Sequence, residues 1–243
     1  MRAPGARTVF GVHLFTRRHD DVNDGSRARH QLLSLDLASD PAAWRELGFT
    51  VDADGVCAVD GVAIRLGRPG RRISAWSLLG TPDDTDIDGL RTSMPPPPRD
   101  AASHPNGTTA IDHLVAMTPD PARTVAALET HGIEARRTRH TDQYGPPFTQ
   151  TFFRIGRPIL EVIGPEEPAG SEPARFYGIA FTVRDLDATA AMLGDRLGAV
   201  KDAVQPGRRI ATLRREAGAG VPLAFLSPGA DAVDAQIGSD GVQ

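Results

Sequence analysis

One pattern recurs three times along the 243-residue chain. A short apolar strand leads into a turn holding Asp or Pro, then a helical stretch, then a glycine. The copies are LSLDLASDPAAWRELGF from Leu33, HLVAMTPDPARTVAALETHGI from His113 and GIAFTVRDLDATAAMLGDRLGAV from Gly178. The second and third blocks also close alike, PILEVIGP from Pro158 beside PLAFLSP from Pro222, and IRLGRPG from Ile64 matches FRIGRP from Phe153. A spacing of about 65–85 residues is too long for a solenoid unit. It reads as a duplicated α+β module of one strand, a helix and three strands, βαβββ.

The breaks between copies set the expected domains. Residues 1–29 hold one strand-like stretch, Val9 to Thr16, and a charged run. Residues 30–80 are a degenerate half-module. Residues 81–109 form a linker rich in Pro and Asp, whose four prolines from Pro95 to Pro98 favour an extended spacer. Residues 110–228 contain the two fuller modules, 110–165 and 176–228, and residues 229–243 are a polar tail with little to bury.

Composition removes several function classes. A net charge of -4 gives no general attraction to polyanions, and 5% aromatic residues are too few for a nucleic-acid stacking platform. No run reaches the ~20 apolar residues of a membrane span. The lone cysteine, Cys57, excludes an intrachain disulfide and points to a cytoplasmic setting, where it reads as a buried inert thiol. Lys201 is the one lysine, and its polar surroundings give no means of depressing its pKa for Schiff-base chemistry. The phosphate-binding patterns GxxxxGK[ST] and GxGxxG are absent.

The third helix is the best defined. Asp185 can cap it, and Leu186, Ala190, Leu193 and Leu197 fall on one face before Gly198. In the strand before it, Ile179, Phe181 and Val183 must lie against the helix. Gly178, Ala180 and Thr182 then face something other than a packed core. His131 reads as a helix C-terminal residue, and Trp44 and Trp76 as packing of the first block.

With these residues the chain resembles the vicinal oxygen chelate superfamily of glyoxalase I, extradiol dioxygenases, methylmalonyl-CoA epimerase, and fosfomycin and bleomycin resistance proteins. The likeness rests on IDHLVAM at Ile111, QTFFRIGRPILEVIGP at Gln150, FTVRDLDAT at Phe181 and PLAFLSP at Pro222. It implies an α+β fold in which two βαβββ modules form a cup-shaped mixed sheet, helices outside. It also implies metal ligands on the first and last strands of each module.

In the second block both ligand positions are filled, by His113 and Glu161. Simple alternation sets His113 on the face of Ile111, Val115 and Met117, and Glu161 on that of Ile159 and Ile163. Leu114, Ala116, Leu160 and Val162 are left for the helix. The pair reads as metal ligands, with Glu161 as catalytic base, or as a hydrogen-bonded pair that stabilises the sheet. In the third block Gly178 and Ala224 stand at the ligand positions, bordering the same cavity and leaving room there. In the first, Leu33 aligns with His113, and the Glu161 position falls in Ala75 to Ser77. The resemblance therefore implies one divalent metal (Mn, Mg, Zn, Ni or Fe) on an incomplete ligand set, or none. A catalytic zinc wants three protein ligands, and ring-cleaving iron needs a second histidine where Gly178 stands.

Gln150, Phe152 and Arg154 alternate along one strand face and could bind substrate, Arg154 by holding a carboxylate or phosphate. A solvated arginine is the other reading. The loop from His140 to Phe148 is either a lid, with Tyr144 and Phe148 as covers, or a plain connector.

The leading functional expectation is a lyase or isomerase of the glyoxalase-like kind, abstracting a proton next to a carbonyl. The alternative is a metal-free protein of the bleomycin-resistance type that sequesters a drug or metabolite. Either takes a small molecule, with no nucleic acid and no membrane. The unpaired first block, with three ways to cover it (on the outside of the cup, with the Val9–Thr16 strand, or on its twin), leads to an expected homodimer.

Overall fold

In the computed structural model, residues 30–142 and 146–229 are described. Tyr144 and the Val9–Thr16 stretch lie outside them. The first block runs β1 (Gln31–Leu37), α1 (Pro41–Glu46), β2 (Val56–Val59), β3 (Val62–Arg65) and β4 (Ile73–Leu79). Asp40 caps α1 by accepting from the Ala42 N–H, and Pro41 opens the helix where no N–H is needed. The β2–β3 hairpin turns on Asp60 and Gly61, both at positive φ, as a two-residue turn between twisted strands requires.

These strands form a sheet in the order β2-β3-β1-β4, with β3 parallel and β4 antiparallel to β1. The likeness of IRLGRPG to FRIGRP is therefore not a structural equivalence. Arg65 ends the strand that runs parallel to the first strand of its block, whereas Arg154 ends the strand before the corresponding one. The counterpart of the Glu161 strand is β3, not the Ala75–Ser77 stretch. The block is degenerate by one strand of the hairpin set, and β4 fills the other flank of β1.

Residues 81–109 do more than span. They hold a small hairpin, β5 (Asp86–Ile87) and β6 (Leu90–Arg91), with Ile87 and Leu90 fully buried. Asp88 at its tip accepts from Arg123 and Thr124 of the next block. At the far end Asn106 donates its amide to the Leu47 carbonyl, tying the segment to the end of α1. Two isolated leucine-type residues carry no period, which is why the sequence reads as a spacer.

The second and third blocks follow as β7 (Thr108–Met117), α2 (Pro121–Thr130), β8 (Ala135–Thr141), β9 (Phe148–Arg154) and β10 (Ile159–Pro165), then β11 (Arg175–Val183), α3 (Leu186–Leu193), β12 (Lys201–Asp202), β13 (Arg209–Thr212) and β14 (Leu223–Leu226). Asp120 and Asp185 cap the two helices. Helix α3 is one turn shorter than its leucine spacing suggests: it gives way to a 3-10 turn at Gly194–Arg196, and Leu197 is buried from there. All eight strands make one mixed sheet, β12-β13-β14-β11-β7-β10-β9-β8. In each module the last strand is parallel to the first, and the antiparallel β7–β11 pair joins the modules. This is the paired βαβββ arrangement expected from the repeat.

One face of this sheet carries Leu114, Ala116, Leu160, Val162, Ile179, Phe181, Leu223 and Phe225, all buried in a single core with Leu128 of α2 and Leu186 and Leu193 of α3. The first block packs on that same helix-side face. Trp44 donates its indole N–H to the Ala219 carbonyl at 3.1 Å, Phe49 meets Phe181 with ring centroids 5.2 Å apart, and Trp76 meets Phe176 at 5.1 Å. Each such buried aromatic removes enough apolar surface to stabilise the docking by roughly 1.5–3 kcal/mol. Of the three ways to cover a lone half-module, the chain uses the first: it packs on the outside of the cup. No helix among the described residues is long and apolar enough to cross a membrane.

Candidate functional site

The polar groups lie on the opposite face, and a β-bulge puts them there. Along the β7–β11 ladder Ala180 pairs with His113 and Phe181 with Ile111, so Asp112 has no partner. The extra residue turns Ile111 into the core beside Phe181, and places Asp112 and His113 side by side on the concave side. Alternation had put Ile111 on the face of His113; the bulge reverses that, and it adds Asp112, a residue the sequence pattern sends to the core face.

The register then defines three rows across the concave face. The first runs Arg154, Ile159, His113 and Ala180; the second Arg137, Phe152, Glu161, Val115 and Gly178; the third Arg139, Gln150, Ile163 and Met117. His113 and Glu161 sit in adjacent rows on adjacent strands, and the His113 Nε2 is 3.7 Å from Glu161 Oε2. Both side chains are buried, as is Gln150.

The hydrogen bonds around them are directional. Asp112 Oδ1 lies 3.0 Å from His113 Nδ1, while Asp112 Oδ2 receives Arg208 at 2.6 Å and the Thr182 hydroxyl at 3.2 Å. Burial works against a charge on Asp112, but the His113 hydrogen bond and charge and the Arg208 guanidinium outweigh it, and hold its carboxyl at about 2. A carboxylate that stays ionised can only accept, so the Nδ1 of His113 carries the proton that faces Asp112. Gln150 donates its amide to Glu161 Oε1 at 2.5 Å. Full burial pushes the Glu161 pKa up, against the opposing pull of His113, Gln150 and Arg139.

Three buried polar atoms in this cluster have no hydrogen-bond partner: His113 Nε2, Glu161 Oε2 and the Gln150 amide oxygen. Buried polar atoms are rarely left so, and three in one cluster mark a place built to receive something. Two ligands on a common divalent ion, each about 2.1 Å from it, lie about 3–3.5 Å apart. The 3.7 Å separation of His113 and Glu161 is close to that. With the Gln150 oxygen these N and O donors fit Mg²⁺ or Mn²⁺ that keeps several waters. They do not supply three His or carboxylate ligands for zinc, and no group of three or more His, Cys, Asp or Glu with metal-holding geometry occurs among the described residues.

The remaining expected residues fall in different places. Phe152 is buried across from Glu161. Arg154 is exposed at the end of its row. The cation whose charge reaches Glu161 is Arg139, on β8, which strand alternation on β9 gave no reason to consider. Gly178 does not leave room for a ligand: a Cβ there would come within 2.6 Å of the Pro222 carbonyl oxygen. Ala224 packs in a small apolar cluster with Ala180, Ile210 and Leu226. The space expected at these two positions is filled because the neighbouring strands close over small residues. Tyr144 is outside the described residues. A cavity of about 290 Å³ lined by His140, Thr141, Asp142, Pro147 and Glu166 shares no residue with the buried cluster. His131 closes α2 as a cap, and burial pushes the Cys57 thiol up to about 12, which makes it a poor nucleophile.

No protein-family model and no curated protein matches the sequence. Solved structures do. A variant of 4-hydroxymandelate synthase from Streptomyces coelicolor superposes with a TM-score of 0.53 at 14% identity, covering 82% of this chain and 92% of that one. Methylmalonyl-CoA epimerase from Mycobacterium tuberculosis gives 0.42 at 17% identity, over 53% of this chain and 93% of that one. A Streptomyces coelicolor methylmalonyl-CoA epimerase variant with bound 2-nitronate-propionyl-CoA gives 0.41 at 23%, over 51% and 96%. The share matched by the synthase is larger than residues 110–228 could supply, so it extends beyond the cup. With its repeated modules, its strand order and this superposition, the chain has the fold of the vicinal oxygen chelate superfamily.

Proposed function

We propose that the chain is a small-molecule enzyme, a lyase or isomerase in which Glu161 removes a proton from carbon next to a carbonyl. The observation that carries this reading is a fully buried carboxylate with one oxygen held by Gln150 and the other unpartnered, 3.7 Å from the unpartnered His113 Nε2. A raised pKa makes Glu161 a stronger base than an exposed carboxylate, and its fixed oxygen leaves one lone pair aimed at the site. As the C–H bond breaks, its proton passes to Glu161 Oε2 and its electron pair moves into the carbonyl, giving an enolate. The Arg139 charge lies on the side where that negative charge can be offset. His113, with Asp112 ready to stabilise an imidazolium, offers a second group to take up or return a proton.

His113, Glu161 and Gln150 are the residues that would hold a divalent ion, which would act there as a Lewis acid on the carbonyl oxygen. The second reading is a metal-free protein that sequesters a small molecule. It is favoured by the glycine at 178 and alanine at 224, where further ligands would stand.

Deuterium exchange separates the two. Carbonyl compounds with exchangeable α-protons, incubated with protein in D₂O and followed by NMR, should gain deuterium faster than in buffer. Glu161→Gln should slow the exchange by about 10²–10⁴-fold. Wild-type protein that binds such compounds without exchanging any proton supports sequestration instead.

A further inference from the structure

Each of the three rows that cross the concave face begins with an arginine at its β8–β9 end. Arg154 precedes Ile159 and His113, Arg137 precedes Phe152 and Glu161, and Arg139 precedes Gln150 and Ile163. A bulge in β8 between Ala135 and Arg137 brings Arg137 onto this face, just as the bulge in β7 brings Asp112 there. Successive rows on one face of a sheet are about 7 Å apart, so three guanidinium groups border the cluster that holds the unpartnered atoms. Asp112 is directed to Arg208 and His113, and Glu161, bonded to Gln150, is the acidic group of the cluster whose charge couples to Arg139. Arg139 is half-buried, where an arginine keeps its charge and its fork of donors in a setting of reduced dielectric.

Resting on the proton-abstraction reading, we propose that the substrate carries an anionic group, a carboxylate or a phosphate, held by Arg139 with Arg137 and Arg154 beside it. The carbonyl end then lies toward Glu161, one row from Arg139, and His113, in the row beyond. The arginines sit on the strand edge of the row and the base in its middle, so an anion a few bonds from the reacting carbon fits the order of residues.

Matched probes test this. Hydroxyacetone and its phosphate, and methyl 4-oxopentanoate and free 4-oxopentanoate, each pair a neutral carbonyl compound with its anion. Exchange in D₂O should favour the anionic member by about tenfold or more. Arg139→Gln should erase that preference, and Arg139→Lys should restore part of it. The preferred pair tells carboxylate from phosphate. Equal exchange of neutral and anionic members by wild-type protein overturns the anionic substrate while leaving proton abstraction intact. Binding of malonate and inorganic phosphate, read from arginine Nε shifts by NMR, is independent of catalysis. Saturable binding weakened in Arg139→Gln supports the anion site even if no probe exchanges, a result that would count against Glu161 as base. No binding, or binding unchanged in Arg139→Gln, overturns the site.

Discussion

Asp112 and His113, neighbours in sequence, project to the same side of β7 and are joined by a 3.0 Å hydrogen bond. Adjacent residues on a regular strand point to opposite faces; only the bulge at Asp112 allows this contact. The carboxylate is anchored in turn by Arg208 from the loop before β13. A bulge here supplies an oriented imidazole and its counter-charge from two successive residues.

Removing the Asp112 charge should leave the Arg208 guanidinium buried without its counter-charge, held by Ser227, Gln205 and Thr182. Both groups are largely out of solvent, at 13% and 7% exposure. Asp112→Asn is expected to lose about 3–5 kcal/mol, measured by urea unfolding at neutral pH. A loss below about 1 kcal/mol would mean that the pair is worth no more than a surface salt bridge.

The two carboxyls pull the pH dependence of stability in opposite directions. Asp112 sits at about 2, below its ordinary 3.8, so the stability it adds is fully present above pH 4. That stability, about 2 kcal/mol, should drain away as pH falls from 4 to 2, and the slope over that interval should be shallower in Asp112→Asn. Glu161 is raised, so its ionisation in the folded state opposes folding, and stability declines as pH rises above the ordinary 4.5 of a glutamate. Glu161→Gln should therefore melt above wild type at pH 8, with the gap closing by pH 4. Each kcal/mol relieved is worth roughly 2–4 °C in a chain of this size.

A divalent ion at the site should stabilise the fold by mass action. At a hundredfold excess over its dissociation constant, Mn²⁺ or Mg²⁺ should add about 2.7 kcal/mol, read as a rise in melting temperature that chelator reverses. His113→Ala should abolish the rise. An equal rise in that variant would place the ion elsewhere.

The first block should prove integral to the fold. Trp44 is fully buried with its N–H on Ala219, so Trp44→Ala is expected to cost about 3–5 kcal/mol by urea unfolding. A chain starting at Thr108 exposes Phe181 and Phe225 and should aggregate or melt without a cooperative transition, as seen by light scattering and heating. The same light-scattering measurement on the full chain tests the expected homodimer. The half-module that motivated the dimer already has its apolar face covered within the chain.

Much of the site was legible because single residues break an apolar pattern. His113 and Glu161 stand among Leu, Val and Ile on strands that otherwise read as core, and neither has a low-energy place there unless paired. Gln150 was visible by its alternation with Phe152 and Arg154 along one strand face. Asp112 and Arg139 were not. A bulge carries no periodic signature, so alternation assigned Asp112 to the wrong face. Arg139 lies on an edge strand, ARRTRHT, whose polar residues show no face at all.

Repetition, the Asp185 helix cap and the apolar phase of most strands were local properties, and the sequence by itself determined them: two βαβββ modules and the core set of Leu114, Leu160 and Phe181. Tertiary structure alone decided what depends on contacts between distant segments. It paired β3 rather than a later strand in parallel with β1, and seated Trp44 against Ala219. It also closed Pro222 over Gly178 and opened the bulge that joins Asp112 to His113. Local propensity is summed over neighbours in the chain, whereas register and docking are settled by which distant surfaces bury the most apolar area without stranding a polar group.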